Sequence, residues 1–101
     1  MSASTVTPFS QPEQIAPDIY VVYGSVRFNP LIRFTRNMAI VRHGQDLTLI
    51  NAVRMDDAGL AALDALGNVR HVLRLGPLHG IDDAFYVERY RADFWSLPGW
   101  V

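Results

Sequence analysis

Among the three histidines, His43, His71 and His79, only His79 stands close to paired carboxylates, in the run Leu78-His79-Gly80-Ile81-Asp82-Asp83. A neutral imidazole and a carboxylate four positions apart are both competent ligands for a divalent metal, which makes His79 and Asp83 the candidate metal-binding pair. Two ligands alone do not complete such a site. The commoner use of a loop histidine is a hydrogen bond to a backbone carbonyl. Two aspartates before a helix more often serve as N-cap and as favourable charge at the positive end of the helix dipole, together worth about 1 kcal/mol. Asp82, Arg70 and Arg74 are the candidate binding residues: the two arginines share a strand face and, joined by Arg42, could clamp an anionic group. Their plainer role is a solvated or salt-bridged face. His71 lies in the alternation of an apolar strand face, as a hydrogen-bonded core or interface histidine would, and His43 falls in an exposed turn.

Composition removes whole classes of chemistry. The chain has 101 residues, is 50% hydrophobic and 19% charged, and carries a net charge of -1, the arithmetic of one domain. All basic residues are arginine, which leaves no lysine for a Schiff base, a P-loop or general-base catalysis. Cysteine is absent, so disulfides, thiolate nucleophiles and Cys-ligated metal sites are excluded as well. Without a run of basic residues there is no footprint for a nucleic-acid backbone or a membrane surface. The start of the chain has neither a basic region nor an apolar core of a signal peptide, and the expected location is the cytoplasm.

The elements that must position these residues are read from period and punctuation. Residues 1–14, rich in Ser, Thr, Gln and Pro, are expected to form a flexible leader, with one domain over residues 15–101. Asp18 to Tyr23 is β-branched and aromatic and predicts a strand, with Val26 and Phe28 continuing it past a bulge at Gly24. Asn29-Pro30 then breaks the run, and Leu31 to Asn37 reads as a loop or short edge segment. Met38–Arg42 and Leu47–Ile50 flank His43 to Asp46 as a β-hairpin. Asp56 or Asp57 caps a helix carrying Leu60, Leu63 and Leu66, and Gly67 stands where a left-handed C′ residue belongs. Val69 to Leu75 alternates as a strand, with Val69, His71, Leu73 and Leu75 on one face and Arg70, Val72 and Arg74 on the other. Asp82 is the expected N-cap of a second helix over residues 84–90, and Asp93 to Leu97 a last short strand. The fold class is α/β (α+β): a mixed β-sheet with an N-terminal antiparallel meander and two helices.

The meander, the hairpin strand ending at Asn51, the helix of residues 58–66, the strand Val69 to Leu75 and the loop His79-Gly-Ile-Asp-Asp83 together resemble the N-terminal half of the metallo-β-lactamase superfamily. That family has an αββα sandwich built from two similar halves, and its central loop carries His-x-His-x-Asp-His around one or two zinc or iron ions. His79 matches the first His of that motif and Asp83 its Asp, whereas Ile81 and Ala84 stand at the positions of the second and last His. Asn51 falls near the place where many members have an Asp before a Gly turn. The resemblance implies a relative with a degenerate metal site, non-catalytic and without a cofactor, acting as a binding or assembly module. The alternative it implies is a metal-dependent hydrolase, using zinc or iron, whose remaining ligands come from a second subunit or from a C-terminal half.

Burial adds an expectation about assembly. Tyr20 and Val22 alternate with Ile19, Val21 and Tyr23, and Leu47 and Leu49 with Ile50, so the strands are apolar on both faces and need cover on both. Two short helices shield one face only, because a helix is ~10 Å wide and strands repeat every ~4.8 Å. The chain is therefore expected to form a homo-oligomer packing sheet on sheet, with Phe94 and Trp95 contributing. A small-molecule ligand is left open.

Overall fold

The computed structural model describes residues 11–29, 32–75 and 82–96. Six strands form one sheet in chain order: β1 (Glu13–Ala16), β2 (Ile19–Asn29), β3 (Ile32–His43), β4 (Asp46–Ile50), β5 (Asn68–Arg74) and β6 (Asp93–Ser96). The first four pair antiparallel; β5 and β6 add in parallel, each after a helical crossover, α1 (Asp57–Leu66) and α2 (Asp83–Tyr90). This is the mixed sheet with two helices that the residue pattern predicts. β1 begins at Glu13, within the expected leader, and pairs with β2.

Two features of the meander differ from the sequence reading. β2 runs through Gly24, which pairs with Arg36 in unbroken register, and the irregularity lies between Arg27 and Asn29 instead. The segment read as a loop before Asn37 is the first half of β3, aligned along β2 from Ile32 onward. Intermixed Arg and apolar residues hide the strand period there, and the pairing partner supplies what local propensity does not. The hairpin between β3 and β4 is as expected, closed by Gly44 and Gln45, with Gly44 in the left-handed region at φ 63°.

Cross-strand partners share a face, so the register sorts side chains into rows. Tyr20, Ile40, Leu49, Val72 and Phe94 form one row, and Val22 and Met38 lie beside it. Leu60 and Leu63 of α1 and Tyr86 of α2 join these residues in the core, so both helices cover the same face. The opposite face carries Val21, Ala39, Ile50, Leu73 and Trp95 in one row and Ile19, Val41, Thr48 and His71 in the next. Phe94, expected on that second face, belongs instead to the helix side, where its ring lies 5.3 Å from the Arg74 guanidinium.

A bulge sets the phase of β5. Leu47 pairs with Val69 but Thr48 pairs with His71, so Arg70 is an extra residue. The strict alternation expected for this strand therefore fails: Val69 and Val72 are both buried, while His71 and Leu73 turn to the other face. Gly67 also differs from expectation. Its φ of 159° is not that of a left-handed C′ residue. Glycine is needed there because a Cβ would lie 2.5 Å from the Gln45 carbonyl oxygen, the same oxygen that accepts from Asn68 N at 2.7 Å.

Candidate functional site

Three of the candidate residues, Asp82, Asp83 and Arg74, come together where the start of α2 meets the interior of β3 and the end of β5. Asp82 is buried, and its Oδ2 accepts from Arg36 Nη1 at 3.2 Å and from the backbone N of Arg54 at 2.9 Å. Arg36 is itself buried, and its Nη2 donates to Ala52 O at 2.8 Å. Asp82 occupies the N-cap position of α2 but makes no side-chain cap hydrogen bond, contrary to expectation. A carboxylate cannot aim at the first turn of its own helix while held by a guanidinium and an amide from other elements, and a buried Arg36 without a counterion would be the costlier outcome.

Asp83 is also buried, with Oδ2 3.0 Å from Arg74 Nε. The approach is an ion contact off hydrogen-bond alignment: both Asp83 oxygens and Arg74 Nε have no hydrogen-bond partner among the described residues. Burial raises the Asp83 pKa above the usual carboxylate value, and the nearby Arg74 and Arg36 charges only partly oppose it. Arg74 is brought to this side by the β5 bulge, without which it would face away from α2.

Tyr86 closes the site from beneath, donating its hydroxyl to Val53 O at 2.7 Å. Burial, and next the Asp82 charge, push the phenol pKa well above its ordinary range. The Val53 amide in turn donates to Met38 Sδ at 3.4 Å. Arg54, whose amide serves Asp82, lays its guanidinium 4.3 Å from the centre of the Phe85 ring. These contacts bind the segment between β4 and α1 to the base of α2.

The predicted site residues thus separate. Asp82, Asp83 and Arg74 come together; Arg70 does not, and pairs with Asp46 at 3.4 Å on an exposed surface, without a clamp shared with Arg74. Arg42 pairs with Asp18 at 3.0 Å at the turn before β2. His79 lies outside the described residues. His71 accepts a hydrogen bond from Trp95 Nε1 at 3.1 Å on the face away from the helices, so it is no core residue. Asn51 has a structural role: at φ 58° it ends β4, its N donates to Leu73 O and its Oδ1 accepts from Leu75 N, each at 2.8 Å.

Sequence reasoning missed Arg36. A signal exists: Arg36, Met38 and Ile40 share the inward phase of one strand, and an arginine on a buried phase requires a buried counterion. Reading residues 31–37 as a loop removed that phase.

A zinc or iron ion, as the resemblance implies, must be matched to this donor set. Among the described residues no three His, Cys, Asp or Glu side chains converge. The two carboxylates present face two guanidinium groups at 3.0–3.2 Å, whose charge competes with a cation for the same oxygens. The described residues therefore do not fit such an ion.

No family model matches the chain, and no curated protein does. Solved structures do. A metallo-β-lactamase from Erythrobacter litoralis aligns with 94% of this chain at TM-score 0.64 and 13% identity. A second from that organism, NDM/FIM-1-like and in its mono-zinc form, aligns with 97% at TM-score 0.65 and 12% identity. The FIM-1 metallo-β-lactamase from Pseudomonas aeruginosa, also mono-zinc, aligns with 96% at TM-score 0.64 and 11% identity. The chain spans only 43–46% of those proteins' lengths. The likeness is one of fold: these residues have the architecture of just under half of a metallo-β-lactamase. No helix among the described residues is long and apolar enough to cross a membrane.

Proposed function

We propose that this chain is a non-catalytic relative of the metallo-β-lactamase fold, cytoplasmic and metal-free, that acts as an oligomeric binding or assembly module. The observation that carries this reading is the pairing of Asp83 with Arg74 and of Asp82 with Arg36, which commits the candidate ligand Asp83 and its neighbour to holding α2 against the sheet. Ile81 and Ala84, where the family motif has histidines, support it. Elemental analysis of the purified protein, dialysed with and without added zinc, manganese or iron, tests it. Far less than one equivalent of metal is expected. Equimolar zinc or iron that survives dialysis and is lost in His79→Ala would overturn it.

One observation favours a second reading. Asp83 is a buried carboxylate with both oxygens free of hydrogen bonds among the described residues, as a ligand awaiting further donors would be. In that reading the protein is a metal-dependent hydrolase, its remaining ligands supplied by a second subunit or a C-terminal half. The same metal analysis separates the two.

A further inference from the structure

We infer that His71 and Trp95 form a proton-operated switch on the sheet face away from the helices: neutral His71 holds the Trp95 indole on the sheet, and protonation of His71 releases it. The inference goes beyond the proposed function and does not rest on it. Trp95 Nε1 donates to His71 Nδ1 at 3.1 Å, with the ring centres 6.1 Å apart and the rings tilted by 50°. An indole has one N–H and no acceptor, so the imidazole nitrogen that faces it must be the bare one. His71 is therefore the neutral tautomer that carries its proton on Nε2. When Nδ1 takes a proton from water its lone pair is used, the bond from Trp95 breaks, and two donors are left facing each other. The indole N–H then turns to solvent.

A switch needs a second position, and the register provides it. His71 pairs with Asp93 on β6, the residue that shares the phase of Trp95, and with Thr48 on β4. The imidazole thus stands between an indole that can bond only its neutral form and a carboxylate that attracts only its charged form. The other charges of β4 and β5 are committed: Asp46 pairs with Arg70 at 3.4 Å, and Arg74 pairs with Asp83 at 3.0 Å on the helix side. Both helices, with the charged residues they carry, lie on that opposite face. The β5 bulge makes the arrangement possible, since strict alternation from the buried Val69 would point His71 at the helices. Trp95 is 54% exposed and is the largest side chain in its row with Val21, Ala39, Ile50 and Leu73. Its release changes how that apolar row is presented, so acidification alters this surface while the core beneath stays packed.

Nuclear magnetic resonance of the whole chain tests this, following the Trp95 indole N–H and the His71 ring nitrogens from about pH 8 to about pH 5, the interval in which histidines gain their charge. The expected result is the Nε2–H tautomer of His71 at the alkaline end and a Trp95 indole resonance that moves with the same midpoint as His71, while the core amide resonances stay in place. His71→Gln, whose amide oxygen accepts at every pH, and His71→Ala, which accepts at none, should both leave the indole resonance independent of pH. Asp93→Asn removes the second partner and should move the midpoint to lower pH. An indole resonance that stays fixed while His71 titrates overturns the inference. So does an Nδ1–H tautomer at the alkaline end, or a pH response that survives in His71→Gln and therefore has another source. The parent titration reads both partners and decides alone if a variant fails to fold.

Discussion

Both helices begin with two aspartates, and the two pairs behave differently. At α1 the exposed Asp56 accepts from Gly59 N at 2.9 Å, a local cap made within four residues. At α2 the buried Asp82 ignores its own helix and takes Arg36, 46 positions earlier in the chain, together with the Arg54 amide. The sequence motif is the same; burial decides the role. An exposed carboxylate gains most from the nearest free amides, whereas a buried one is governed by the buried cation it must neutralise. One pair starts a helix and the other holds three elements together.

The contrast can be broken most forcefully at Asp82. Asp82→Ala leaves Arg36 buried without its counterion and should lower unfolding free energy by about 3–5 kcal/mol in urea titration, beyond the ~1–2 kcal/mol of a cap. Replacing both partners, as Arg36→Met with Asp82→Leu, should recover most of that loss, because two apolar side chains have no charge to desolvate. A loss no larger than that of Asp56→Ala would reduce Asp82 to an ordinary cap.

Asp56→Ala should cost about 1 kcal/mol, and Asp56→Asn or Asp56→Ser almost none, since either can still accept from Gly59 N. Thermal or chemical denaturation at neutral pH measures this directly.

The smallest effect distinguishes the two aspartates of α2 from each other and is visible only as a slope with pH. Burial raises the Asp83 pKa above its reference of 3.8, so the folded state holds that proton more tightly than the unfolded chain does. Stability from this group is therefore fully present below 3.8 and is lost as pH rises through the raised folded value. The stability of the parent minus that of Asp83→Asn should accordingly decline with pH above 3.8 and then level off. A difference that grows with pH instead would mean that Arg74 outweighs burial.

Much of the fold is legible in the residues. The β3–β4 hairpin follows from two apolar runs around His43 to Asp46, and α1 from its leucine spacing and Asp56, because these signals are local. What stays hidden is what depends on a partner. Residues 32–37 form a strand only because β2 lies alongside, and their arginines, three positions apart at 33 and 36, break the strand period when read alone. The extra residue in β5 exists only relative to β4, yet it decides which way Val72, His71 and Arg74 face. Of the run read as a candidate site, Asp82 and Asp83 lie near Arg74, while His79 is outside the described residues. Arg36 could not be added to them until β3 was seen to begin at Ile32.

The change from antiparallel to parallel pairing after β4 bears on the order in which the chain assembles. β1 to β4 follow one another through short turns, so each pairing closes a small loop, while β5 and β6 can dock only after α1 and α2 have carried the chain back across the sheet. Closing a longer loop costs more entropy before any contact rewards it, and pairings distant in sequence form more slowly. The meander is thus the natural nucleus, and the Arg36–Asp82 contact closes late. Substitution at Asp82 should then act chiefly by speeding unfolding, with little change in the refolding rate, and the buried ion pair becomes a latch on the finished fold.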